Sequence, residues 1–153
     1  MVPVPNVVVP MWWAEGVAQY QFSGSTNDIW DSHRDMILRD RALNNNLLTW
    51  PEMFTFGKKG TGNESVYNTG LAFVKYLAKR YSPKIHKKIT REAQKKTRLS
   101  FNKAFKRILG KDGKVIHKEW CDEITNTYKK QTQTIRKNIV KGKIIFSEGP
   151  SNF

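Results

Sequence analysis

A chain of 153 residues, 39% apolar and carrying 18 aromatic side chains, can build one domain with its own core, and its 26% charged residues do not make it compositionally disordered. No apolar run approaches the roughly 18 residues that a membrane span needs, and the proline-broken segment Met1 to Pro10, which lacks a basic residue, makes a poor export signal. The lone cysteine, Cys121, excludes an internal disulfide and leaves the redox compartment open.

The net charge of +14 is not spread evenly. Residues 1–60 hold five Lys/Arg against six Asp/Glu, whereas residues 75–118 hold sixteen Lys/Arg against Glu92 and Asp112 alone. Such a block suits nucleic acid, an anionic membrane surface or an acidic partner. It equally suits a plain solvated helical face.

In chain order, the segment to Pro10 reads as an extended or polyproline-like lead-in, followed by a helix from Met11 to Tyr20. Residues 21–26 contain Gly24 and two serines and read as a loop. Asn27 or Asp28 is the expected cap of a helix through Ile29, Trp30, Met36, Ile37 and Leu38, ending at the asparagines 44–46. Thr49 with Pro51 predicts a short helix bearing Met53 and Phe54, and the glycine-rich stretch 56–63 a loop.

The strongest periodicity follows. Tyr67, Gly70, Leu71, Val74, Leu77, Ala78 and Tyr81 form one continuous stripe, which makes this the expected core helix. Ser82 and Pro83 end it and open a strongly basic helix to Lys96. Ser100 is expected to cap a helix burying Phe101, Ala104, Phe105 and Ile108 and stopped by Gly110. After a turn over 111–113, a longer helix carries Val115, Trp120, Ile124 and Tyr128 as its apolar positions. Residues 143–147 read as a strand with no partner for its backbone groups. The expected fold is mainly α, with an extended N-terminus and one orphan C-terminal strand.

The segment WWAEGVAQY, Trp12 to Tyr20, resembles the W-x-x-E-G-x-A helix of gluzincin zinc metallopeptidases, whose H-E-x-x-H helix is followed by a downstream glutamate. The resemblance implies that Glu15 is the third zinc ligand, that Trp12 and Trp13 pack its helix, and that Gly16 permits close helix approach. Two histidines a turn apart plus one carboxylate leave an open position for a water whose pKa zinc lowers. Tyr67 and Gly70 match the Y-x-K-G segment of aminopeptidase N-type members, with Thr69 where lysine is usual. That match implies an oxyanion-stabilising role for Tyr67. The same run, continued by Trp30 to Arg39 and the Tyr67 helix, is similar to peptidase-like regions that precede TolB-like β-propellers. Gly142 to Ser147 would then enter a first blade. On this reading residues 1–138 are the helical C-terminal subdomain of a zincin-like fold, and 139–153 a linker and propeller start.

The three histidines, His33, His86 and His117, form no H-E-x-x-H. In the family that helix precedes the Glu15 helix, so it would lie ahead of Met1. The expectation is a truncated or degenerate peptidase domain, inactive alone and without zinc of its own. A full-length relative would hold zinc and take a peptide or protein substrate. Export to the periplasm or exterior follows only by analogy with such relatives. Plainer readings compete at each position. Glu15 suits a first helical turn, where the dipole favours a carboxylate. Tyr67 opens the core stripe. His33 with Asp31 and Asp35 suits a salt-bridged face, and Cys121 near His117 a buried structural thiol. The alternative function is a basic helical module that binds an anionic partner, such as nucleic acid, through residues 75–118.

Overall fold

The computed structural model describes residues 9–22, 31–55, 57, 63–95, 100–140 and 142–143. The chain is mainly helical: α1 (Met11–Gln21), α2 (Ser32–Leu43), a 3-10 turn (Glu52–Phe54), α3 (Glu64–Arg80), α4 (Ile85–Ala93), α5 (Phe101–Leu109) and α6 (Gly113–Lys137). No strand occurs among the described residues.

Each start and stop has a local cause. Pro10 holds an extended backbone at the entry to α1. The Asp31 carboxylate caps α2 by accepting from the Arg34 amide at 2.9 Å. Helix α2 therefore begins later than the caps expected at Asn27 or Asp28, which lie outside the described residues together with Ile29 and Trp30. It ends where Asn45 turns to φ 53° and the Asn46 amide reaches back to the Arg41 carbonyl at 2.7 Å. The Glu52 carboxylate accepts from both the Thr49 amide and hydroxyl, at 2.8 and 2.7 Å, which closes the short turn that carries Met53. Gly110 stops α5 with φ 79°.

Helix α3 is the centre of the fold. Gly70, Leu71, Val74, Leu77 and Ala78 of the expected stripe are buried, but Tyr67 is half-buried and Tyr81 is exposed at the helix end. Phe73, outside the stripe, is fully buried, and so are Val66, Asn68, Thr69 and Ala72 or nearly so. A helix packed on several sides outgrows a single apolar face.

Helix α1 lies across α3 at unusually short range. A Cβ on Gly16 would stand 2.7 Å from the Gly70 carbonyl carbon and oxygen, and one on Gly70 would stand 2.6 Å from the Trp12 carbonyl oxygen. Around this crossing the aromatic rings close the core. Trp12 packs on Phe73 and Phe101, Trp13 on Phe101 and Phe105, and Trp50 on Phe105, with centroids 5.3–5.9 Å apart. The Trp13 indole nitrogen donates to Thr90 Oγ1 at 2.9 Å, tying α1 to α4. Tyr128 Oη donates to Asp35 at 2.8 Å, tying α6 to α2.

Helix α6 differs from expectation at its start. Gly113 is its first residue, pressed so closely on Trp50 that a Cβ would meet the indole ring at 2.8 Å. Ile116 is fully buried, while Val115 is exposed. Ile108 of α5 is only half-buried, and Ser100, though at the cap position, makes no side-chain capping bond. Apart from Lys143, the strand expected over 143–147 lies outside the described residues, as do the N-terminal lead-in before Val9 and most of the loops expected at 21–26 and 56–63.

Both glycines at the crossing meet backbone, which cannot swing aside as a side-chain tip can. Gly16→Ala and Gly70→Ala are each expected to lower unfolding free energy by about 1–3 kcal/mol, with Gly142→Ala, where a Cβ meets nothing, as the neutral control. The double substitution should cost less than the sum, because helices already parted for one methyl admit the second. Urea unfolding of the four variants measures this, and strict additivity would contradict it.

Candidate functional site

The buried tryptophans fix how α1 sits. With Trp12 and Trp13 both inside and Gly16 against α3, Glu15 falls at the flank of the contact, half-buried. Gln19, one turn on, accepts from Arg34 of α2 at 3.2 Å. The Glu15 carboxylate has no hydrogen bond or ion pair among the described residues. Tyr67 lies one turn before Gly70 on α3 and is likewise half-buried. Glu15 and Tyr67 thus each stand within one helical turn of the Gly16–Gly70 contact. Thr69, where the resemblance has lysine, is 1% exposed, a place that suits a short neutral side chain and would strip an ammonium of water.

The histidines do not join them. His33 is exposed on α2, His86 is buried on α4, and His117 is buried on α6. His86 Nε2 lies 3.1 Å from Gln21 Nε2, and the Tyr20 and imidazole rings meet edge-to-face. Burial, helped by Lys87, lowers the pKa of His86. No three His, Cys, Asp or Glu side chains gather into a metal-holding group among the described residues.

The acids around His33 are committed to structure. Asp31 caps α2, chiefly through the Arg34 amide, which lowers its pKa. Asp35 pairs with Arg39 at 3.2 Å and accepts from Tyr128, whose pKa is raised first by burial and then by that bond.

A cavity of about 680 Å³ is lined by Leu48, Trp50, His117, Lys118, Cys121 and Asp122, among others. Cys121 Sγ lies 3.7 Å from His117 Nδ1. The Trp50, Phe73 and Trp120 rings surround the imidazole, with centroids 5.3–5.7 Å away. Burial lowers the pKa of His117 to about 4. Burial, then Asp122, raises that of Cys121 to about 12 against a smaller opposing pull from Lys118. The pair therefore rests as neutral thiol and neutral imidazole, opposite to the thiolate–imidazolium pair that nucleophilic catalysis uses. A second, mainly apolar groove of about 500 Å³ runs between Leu38, Tyr76, Trp120, Ile124 and Tyr128, with Lys75 at its lining. Neither hollow is lined by Glu15 or Tyr67.

Compared with models of known protein families, with characterised proteins and with solved structures, the chain matches none.

Three residues central to this arrangement carry no sequence signal. Thr90 receives the Trp13 indole across 77 residues, Asn102 accepts from the Lys114 amide at 2.8 Å to start α6, and buried Glu92 joins α4 to α5 through Arg107. Only the interhelical geometry reveals them.

The depressed His117 pKa has a definite sign. The unfolded chain takes up the proton near the ordinary value of 6.5 and the folded chain only near 4, so this stabilisation is complete above 6.5 and is lost as pH falls towards 4. The loss should be on the order of 3 kcal/mol. His117→Phe, matched to the aromatic surroundings, should flatten most of that slope in urea unfolding followed against pH; an unchanged slope would show that His117 is not its source. Cys121 should react with a maleimide far more slowly in the native chain than in urea, and equal rates would contradict its burial.

Proposed function

We propose that the chain is the helical half of a gluzincin-like zinc-peptidase domain, of the type that precedes a TolB-like β-propeller, with Glu15 descended from its third zinc ligand. The observation that supports this most directly is the Gly16–Gly70 contact, since it unites the two stretches that carry the resemblance. The WWAEG stretch and the Y-x-x-G stretch are separated by some fifty residues of chain, yet their glycines meet backbone to backbone. In this reading the crossing exists to hold a carboxylate and a phenol at fixed positions beside the same junction, and both remain partly accessible.

Glu15 would contribute one oxygen ligand to a site whose two imidazoles come from outside residues 1–153, and Tyr67 would donate a hydrogen bond to an oxyanion on a peptide substrate. When bound, the metal in such a site acidifies a water. Without the histidines the chain hydrolyses nothing, and its own residues do no more than position Glu15 and Tyr67. The half-buried Glu15 carboxylate, which has no bond among the described residues, is compatible with a ligand position.

Two measurements test the reading. The encoding DNA immediately upstream of Met1 should contain an in-frame H-E-x-x-H; a stop codon with no such motif would overturn the truncated-peptidase reading. Glu15→Gln should leave unfolding free energy within about 0.5 kcal/mol of the parent, as befits a ligand position; a loss of 2 kcal/mol or more, on the order of a broken buried interaction, would make Glu15 structural instead.

A further inference from the structure

Helix α4 separates its residues completely by chemistry. Ile85, His86, Ile89, Glu92 and Ala93 are buried, and the opposite face carries Lys84, Lys87, Lys88 and Arg91, all exposed, with Lys95 just beyond the helix end. Their spacing of i, i+3, i+4, i+7 sets the first four in one stripe about 10 Å long. Helix α5 repeats the plan, burying Phe101, Ala104 and Phe105 and presenting Lys103, Lys106 and Arg107. The two stripes meet at Glu92, whose carboxylate pairs with Lys95 and lies 3.7 Å from Arg107 Nε. Glu92 is buried, so it draws α5 against α4 while offering no negative charge to the outside. Lys84, Lys87, Lys88, Arg91, Lys103 and Lys106 have no acidic partner among the described residues.

Six cations on two helices that pack together, without counter-charge among the described residues, repel one another and contribute nothing to the core. Their order makes sense against an external polyanion. We propose that the outer faces of α4 and α5 form a docking surface for the phosphate backbone of double-stranded nucleic acid. The observations favour a duplex over other polyanions on two grounds. Neither helix exposes a large apolar side chain that could anchor in a bilayer. Neither exposes an aromatic ring on which unpaired bases could stack. What remains is a row of ammonium and guanidinium groups facing a linear array of phosphates, a sequence-independent contact driven by counterion release. This surface is independent of the peptidase-like reading, since neither Glu15 nor Tyr67 belongs to it.

The test is fluorescence anisotropy of a labelled mixed-sequence DNA duplex titrated with the full chain at several salt concentrations. Binding should weaken steeply as salt rises, with log K falling by about 0.9 per phosphate neutralised for each unit of log[salt]. K84E/K87E/K88E should weaken binding by about tenfold or more and make the salt slope shallower by about 3. K130E/R136E/K137E, an identical change in net charge on the exposed end of α6, should weaken it by less than about threefold. Circular dichroism checks that both variants fold, and K84Q/K87Q/K88Q replaces the first if it does not. Equal losses in the two variants, no binding to duplex at low salt, a preference for the corresponding single strand, or retention by vesicles of anionic phospholipid in place of the duplex would each overturn the proposal.

Discussion

Two glycines facing one another set the frame of this molecule. Helices ordinarily pack with axes 8–10 Å apart because side chains stand between them. Where Gly16 meets Gly70, nothing but backbone intervenes, and the Trp12 carbonyl occupies the place a side chain on Gly70 would need. Trp12 and Trp13, one turn before Gly16 on the same side of α1, extend from this contact into the core, where Phe101, Phe105 and Trp50 meet them edge-on. The aromatic core is thus continuous with the glycine contact, and Trp12 packs on Phe73 of α3 directly beside it.

The consequence for function lies in what the crossing leaves uncovered. Core residues surround α3 so thoroughly that Asn68 and Thr69 are buried with the hydrocarbons, yet Tyr67 keeps partial access to solvent. Glu15 keeps the same on α1. Glu15 stands one position, and Tyr67 one helical turn, from a backbone contact that limits how far either can move. That combination, accessible and fixed, is what positioned chemical groups require. By contrast, the one cavity that contains a cysteine and a histidine holds both in the protonation states of inert core groups.

How much of this could be read in advance depended on how local each cause was. The helix order, the α3 core and the Gly110 stop follow from periodicity and punctuation within a few residues, and they stand in the structure. Errors arose where burial came from distant elements. Phe73 lies off the apolar stripe but meets Trp120 and His117 of α6, so no pattern within α3 could mark it. Val115 and Ile116 are equally apolar neighbours; the close seating of Gly113 on Trp50 sets the rotation of α6 and thereby turns Ile116 inwards. For the site, the motif singled out Glu15, Gly16, Tyr67 and Gly70 separately. That the two glycines touch is a fact of three dimensions. Thr90 and Glu92, which secure α4 to its neighbours, sit in a run whose composition advertised only charge.

Charge and core divide the labour along the chain. The near-neutral first sixty residues supply α1, which carries the tryptophans and the glycine contact, and α2, where Asp31 caps, Asp35 pairs with Arg39 and Tyr128, and Asp40 accepts from Asn44. The basic stretch supplies α4 and α5, which need only one acid between them, and that acid is hidden. A merely solvated surface gains from mixing signs, because opposite charges at helical spacing stabilise one another by a few tenths of a kcal/mol per pair. Helix α6 uses that option: Lys118 pairs with Asp122 one turn on, and Lys111 reaches Glu119. Helix α4 sets out a row of like charges at the very spacing that would otherwise serve such pairs. Apart from the Glu92–Lys95 pair at its end, α4 keeps its positive face at the expense of the pairing that α6 accepts.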